Sequence, residues 1–99
     1  MKIEGSVIFI TGGGAGLGLD AAKTLQKKGA KLSIVDNSEE NLEAAKKVLG
    51  AKDVIYAKVD VGSESECKAA IEHTFKHYGA IHVCLNSAGI VGMLSLMIT

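Results

Sequence analysis

Val7-Ile8-Phe9-Ile10-Thr11-Gly12-Gly13-Gly14-Ala15-Gly16-Leu17-Gly18 runs from an apolar segment into a glycine-rich turn. The first five residues are β-branched or aromatic and stop at glycine, which predicts a buried strand. Beyond the glycines, Leu17 to Lys28 reads as a helix. Leu17, Ala21 and Leu25 share one face, Lys23 and Lys27 lie on another, and Gly29 ends it. A glycine turn between strand and helix lets backbone N–H groups close around a pyrophosphate, and the helix dipole favours the negative charge. A merely tight turn would not explain four glycines and an alanine from Gly12 to Gly16, because glycine is costly in chain entropy.

Working outward, the same alternation repeats. Lys31 to Val35 is a second strand, closed by Asp36. Asn37 to Leu49 is a second helix, with Asn37 and Glu40 as the expected capping pair and Leu42, Ala45 and Val48/Leu49 as the apolar stripe. Val54 to Val59 is a third strand. Ser63-Glu64-Ser65-Glu66 has capping-box form and opens a helix from Glu64 to about Tyr78. Its expected core face is Cys67, Ile71, Thr74/Phe75 and Tyr78. Gly79 ends it, and Ile81 to Leu85 is a fourth strand. The order β-α-β-α-β-α-β, with helices long enough to cross over, predicts a parallel sheet covered on both faces. The chain reads as one domain, residues 1–99, without linker, repeat or low-complexity segment.

Composition narrows the function classes. With 47% hydrophobic and 22% charged residues, the 99-residue chain has the make-up of a globular domain. Its 11 basic and 11 acidic residues cancel, which argues against nucleic acid or an anionic membrane as partner. Cys67 and Cys84 are too few for a disulfide framework or a zinc site, and are expected to be reduced thiols in a cytoplasmic protein. The start Met1 to Ser6 does not read as a signal peptide, and no stretch approaches about 18 consecutive apolar residues. His73 and His77 stand one helical turn apart but lack a zincin glutamate, so no metal site is expected.

The loop is not a phosphate-binding P-loop, since Leu19-Asp20 stand where lysine would follow Gly18. Nor do the glycines meet Gly-x-Gly-x-x-Gly at the right distance from the strand. They do meet Thr-Gly-x-x-x-Gly-x-Gly, at Thr11, Gly12, Gly16 and Gly18. This resembles the cofactor fingerprint of the short-chain dehydrogenase/reductase family. Asp36 at the end of the second strand, Asp60-Val61 after the third and Asn86-Ser87-Ala88-Gly89 after the fourth resemble the family's later motifs, with Ser87 in place of a second asparagine.

The resemblance, spanning about residues 5 to 92, implies a Rossmann-like, doubly wound α/β sheet. It implies about four strands in the order 3-2-1-4, joined by three crossover helices. It also implies NAD as cofactor, held by Gly12, Gly14, Gly16, Leu17, Asp36, Asp60, Val61, Asn86, Ala88 and Gly89. Asp36 would accept hydrogen bonds from the adenosine ribose and repel a 2′-phosphate. Relatives that take NADP carry a basic residue where Ala15 or Asn37 stands here. Asp60 would meet the adenine amine and Val61 the ring, although Asp60 could also serve a turn or a cap.

Catalysis in the family uses a Tyr-x-x-x-Lys pair, a serine and an upstream asparagine, with the lysine lowering the tyrosine's pKa. Here Tyr56 is followed four residues on by Asp60, and Tyr78 by His82. No catalytic residue is therefore expected in this chain. It is expected to be the cofactor-binding front part of a dehydrogenase that moves hydride between NAD and an alcohol or carbonyl; the alternative is a non-catalytic nucleotide-binding or regulatory module. The parent is expected to be a homo-oligomer. The chain alone, with an apolar edge at Val83 to Leu85 and an apolar tail from Ile90 to Ile98, is expected to be of low stability and to self-associate.

Overall fold

A computed structural model describes residues 2–60 and 62–86. Seven elements alternate in chain order: β1 (Val7–Thr11), α1 (Gly16–Lys27), β2 (Lys31–Asp36), α2 (Glu39–Leu49), β3 (Val54–Lys58), α3 (Glu64–Tyr78) and β4 (Val83–Asn86). All strand pairs are parallel, in the order β3-β2-β1-β4. This is the Rossmann-type order that the sequence implied.

Strand alternation divides the core into two layers. Ile8, Ile10, Leu32, Ile34 and Leu85 point to one face, where α1 and α2 bury Ala21, Ala22, Leu25, Leu42, Ala45 and Leu49 against them. Phe9, Val35 and Val59 point to the other, where Ala70 of α3 meets them. The register fixes where functional groups emerge, pairing Thr11 with Val35 and Thr11 with Asn86, so that three strands end beside one another. At the start of β4, His82 takes over a strand's pairing role. Its N–H donates to the Val7 carbonyl at 2.9 Å, and its Nδ1 accepts the Val7 N–H at 2.9 Å.

Several local expectations are corrected. The cap of α2 is Ser38, whose hydroxyl accepts the Asn41 N–H at 3.1 Å, and not Asn37. Val48 is exposed, leaving Leu42, Ala45 and Leu49 as the buried stripe. Ser63 does cap α3, accepting from Glu66 N–H. The Glu66 carboxylate, however, accepts from Asp60 N–H rather than returning to Ser63, because the Ser63 N–H already donates to the Asp60 carbonyl. On α3 the buried residues are Ala70 and Thr74, whereas Ile71 and Phe75 are 40% and 57% exposed. The cause is geometric. Among the described residues two helices share the other face while α3 alone lies on this one, and Ile71 borders an open cavity over Phe9, Thr11, Cys84 and Leu85 instead of packing on them.

Thr74 sits in that strip as a polar tie. Its hydroxyl donates to the Ala70 carbonyl at 2.8 Å, so the buried Ser33 hydroxyl, 2.7 Å away, donates to it. Thr74→Val strands the Ser33 hydroxyl among apolar atoms and is expected to cost about 1–3 kcal/mol, whereas adding Ser33→Ala recovers most of the loss. Urea midpoints of the three variants check this, and a double variant no better than Thr74→Val contradicts it.

The two tyrosines hold backbone carbonyls, Tyr78 that of Leu32 and Tyr56 that of Gly50. Burial pushes the Tyr78 phenol up to about 12, with the charges of Asp53 and Tyr56 adding to it. Burial also raises Tyr56. The folded state therefore favours the neutral phenol. The stabilisation is complete below the ordinary value of 10.0 and is lost as pH rises toward about 12. Tyrosinate absorbance is expected to appear together with loss of helical circular dichroism; titration near pH 10 in a fully folded chain would contradict this.

Candidate cofactor site

The glycine turn is moored to the sheet. Gly12 and Gly13 both donate N–H bonds to the Val35 carbonyl, at 2.8 and 3.2 Å. Gly12 and Gly16 lie in the left-handed region, at φ +68° and +56°, where a side chain is strained. At Gly18 the reason for glycine is contact: a Cβ would lie 2.2 Å from the Gly12 carbonyl oxygen. The first turn of α1 thus rests on the start of the loop that leads into it. Gly13 rests on Ile34, 2.9 Å from where its Cβ would be.

The helix that begins here is capped differently from the other two. Ala15 occupies the N-cap of α1 without a side-chain bond, and no acidic residue lies in the first turn. In α2 and α3, serines cap the first turn and glutamates neutralise it. The positive end of α1 is thereby left without a capping side chain or a first-turn carboxylate, beside the half-exposed apolar side chain of Leu17.

Asp36 reaches the same loop from the end of β2. It is only 6% exposed. Its Oδ2 accepts the Gly14 N–H at 3.2 Å and its Oδ1 accepts the Ser38 N–H at 3.0 Å. Asp60 is exposed, and its Oδ1 accepts the Gly62 N–H at 2.9 Å, so the turn role foreseen as an alternative is present. Asn86 ends β4 beside Thr11, whose hydroxyl donates to the Leu85 carbonyl at 3.3 Å. Val61, Ala88 and Gly89 lie outside the described residues.

The structure thus gathers Gly12, Gly14, Gly16, Leu17 and Asp36 about one strand-to-helix turn, with Asn86 at the neighbouring strand end. Sequence reasoning missed Ser38 and Asn41. Ser38 stands directly before Glu39-Glu40 and is as good a capping residue as Asn37, so the cap was legible at either position. Nothing local marked the packing of Asn41 on Gly14. Among the described residues, no group of three or more histidines, cysteines or carboxylates could hold a metal, and no helix is long and apolar enough to cross a membrane.

These residues suit a dinucleotide. At Gly14 and Gly18 a Cβ would meet the chain's own atoms, so the loop closes tightly on α1 and on Asn41, while the start of α1 carries no first-turn carboxylate and Asp36 is held at the end of β2.

Known proteins share this fold. The family model described as short chain dehydrogenase matches residues 6–97. Levodione reductase of Leifsonia aquatica is 41% identical over 90 residues, covering 87% of this chain and 34% of that protein. Short-chain dehydrogenase reductase 3c of Arabidopsis thaliana is 33% identical over 91 residues, covering 92% of this chain and 35% of that one. The crystal structure of 3-ketoacyl-(acyl-carrier-protein) reductase from Brucella melitensis complexed with NADH superimposes with a TM-score of 0.77 at 32% identity, over 83% of this chain and 34% of that chain. A short-chain dehydrogenase/reductase from Burkholderia phymatum in complex with NAD gives a TM-score of 0.80 at 27% identity, over 85% of this chain and 31% of that chain. The chain spans about a third of the length of these relatives. It is a member of the short-chain dehydrogenase family, and carries that family's Rossmann-type cofactor fold.

Proposed function

We propose that this chain binds NAD(H) through the glycine turn and Asp36, and forms the cofactor domain of an oxidoreductase acting on an alcohol or carbonyl. The observation that carries this is the convergence of the unneutralised α1 start and the buried, doubly held Asp36 on one loop. Gly12, Gly14 and Gly16 would bring main chain to the pyrophosphate, with the apolar Leu17 beside it, and Asp36 would hold the adenosine ribose. Asp60 keeps one carboxylate oxygen in its turn with Gly62, and in this reading turns the other to the adenine, with Val61 against the ring. Asn86, Ala88 and Gly89 would line the neighbouring ribose. The bound cofactor supplies the hydride acceptor, or as NADH the donor.

The preference for NAD over NADP rests on Asp36, with uncharged Ala15 and Asn37 at the positions where a basic partner for a 2′-phosphate would stand. Neither tyrosine is followed four residues on by lysine, so binding rather than turnover is the activity expected of these 99 residues. That absence also supports a second reading, a nucleotide-binding module that does not catalyse. We infer as well that the chain self-associates, supported by the exposed Ile71 and Phe75 on α3.

Calorimetric titration tests the shared core of both readings. NADH is expected to bind, and Asp36→Ala to weaken it by about 1.5–3 kcal/mol, the range for hydrogen bonds to a charged group. Absence of NADH binding to the unaltered chain would overturn the proposal.

A further inference from the structure

We propose that Gly14 and Ser38 act as positioning residues that set cofactor preference by clamping Asp36 from two sides. The inference rests on the dinucleotide reading and deepens it. A carboxylate offers about four lone-pair sites. Here the Gly14 N–H occupies Oδ2 at 3.2 Å and the Ser38 N–H occupies Oδ1 at 3.0 Å. About two sites remain, the number needed to accept from both hydroxyls of a ribose diol. A 2′-phosphate brings negative oxygens and no matching donors to the same place, so it meets a carboxylate that cannot turn away.

The two halves of the clamp belong to different elements. Ser38 is fixed by α2, because its hydroxyl also accepts the Asn41 N–H at 3.1 Å. Gly14 belongs to the loop. Asp36 therefore ties the loop to the start of α2, and Gly14 must come close enough to close the tie. A Cβ there would stand 2.9 Å from Asp36 Oδ2, 2.9 Å from Asn41 Cβ and 3.0 Å from the Asn41 carbonyl carbon. The last of these is main chain and does not yield as a flexible side chain would. Gly14 is not among the glycines of positive φ, so alanine meets crowding there rather than backbone strain. Gly14→Ala should lift the loop and open the clamp while keeping a carboxylate at position 36.

The test compares two ligands on the chain and on Gly14→Ala, with dissociation constants for NADH and NADPH. Any loss at the pyrophosphate is common to both ligands, so NADH affinity is expected to fall about tenfold further than NADPH affinity, the order of one lost charge-assisted contact, and the preference narrows. Equal loss for both ligands means a general structural role and overturns the proposal. Amide hydrogen exchange in Asp36→Ala supplies a second measurement that adds no bulk to the loop. Exchange at Gly14 and Ser38 is expected to accelerate while Gly12 and Gly13, bonded to the Val35 carbonyl, stay protected. Unchanged exchange at both Gly14 and Ser38 overturns the clamp. An unaltered chain that binds neither dinucleotide overturns the reading of the site and the preference with it, and the exchange result separates that failure from failure of the clamp.

Discussion

Gly18→Ala is expected to destabilise the chain by about 3 kcal/mol or more and to abolish NADH binding. The added Cβ would stand 2.2 Å from the Gly12 carbonyl oxygen, 2.9 Å from the Gly12 carbonyl carbon and 2.9 Å from the Gly13 Cα. All three are main-chain atoms of the loop, so no rotamer change relieves the contact. Either α1 moves off the sheet, exposing the fully buried Ala21, Ala22 and Leu25, or the loop moves and breaks the Gly12 and Gly13 bonds to the Val35 carbonyl. Both routes disturb the start of α1, where the phosphates would sit. Overpacking at sites that can relax costs about 1–3 kcal/mol, and this site has less freedom than most. Chemical denaturation and NADH titration measure the two effects. An alanine variant with an unaltered midpoint and unaltered affinity would contradict the close approach.

Ile34→Ala is expected to cost about 2–5 kcal/mol. Ile34 is fully buried in the layer beneath α1 and α2, and pairs in register with Ile10 of β1 and Tyr56 of β3. Truncation removes apolar contacts and leaves a void that parallel strands, pinned on both sides by hydrogen bonds, cannot readily close. Domains are stable by about 5–15 kcal/mol in all, so the loss is a large share of the total. A melting temperature lower by roughly 10 °C or more is expected for a chain of this size. The effect should extend to binding, because Ile34 Cγ2 lies 2.9 Å from the Cβ position of Gly13 and so forms the floor under the loop. Thermal melts with and without NADH separate these contributions. A drop within about 3 °C would contradict the assigned packing.

The fold was legible because its determinants are local and repeated. Val7 to Thr11, Lys31 to Val35 and Val54 to Val59 carry short β-branched runs, and each is followed by a helix with its own apolar stripe and start or stop residues. Parallel strands require such crossovers, so the alternation leaves little choice of architecture. The loop and Asp36 were legible for a related reason. A strand end followed by glycines, and a carboxylate at the next strand end, are local patterns whose use is set by the sheet they belong to.

The sequence by itself thus determined the element order, the parallel sheet, the glycine turn and the acid at the end of β2. Only the tertiary structure decided what those parts touch. It placed the Gly14 and Ser38 N–H groups on opposite oxygens of Asp36, set Gly18 against the Gly12 carbonyl, gave Asp60 to its own turn, and exposed Ile71 and Phe75 where helical periodicity had placed a core face. The physical reason is range. Periodicity and capping act within about one helical turn, and a sequence displays them directly. Contacts such as Gly14 with Asn41 join positions 27 residues apart in number, from 14 to 41, and depend on how far a loop and a helix stand above the same sheet.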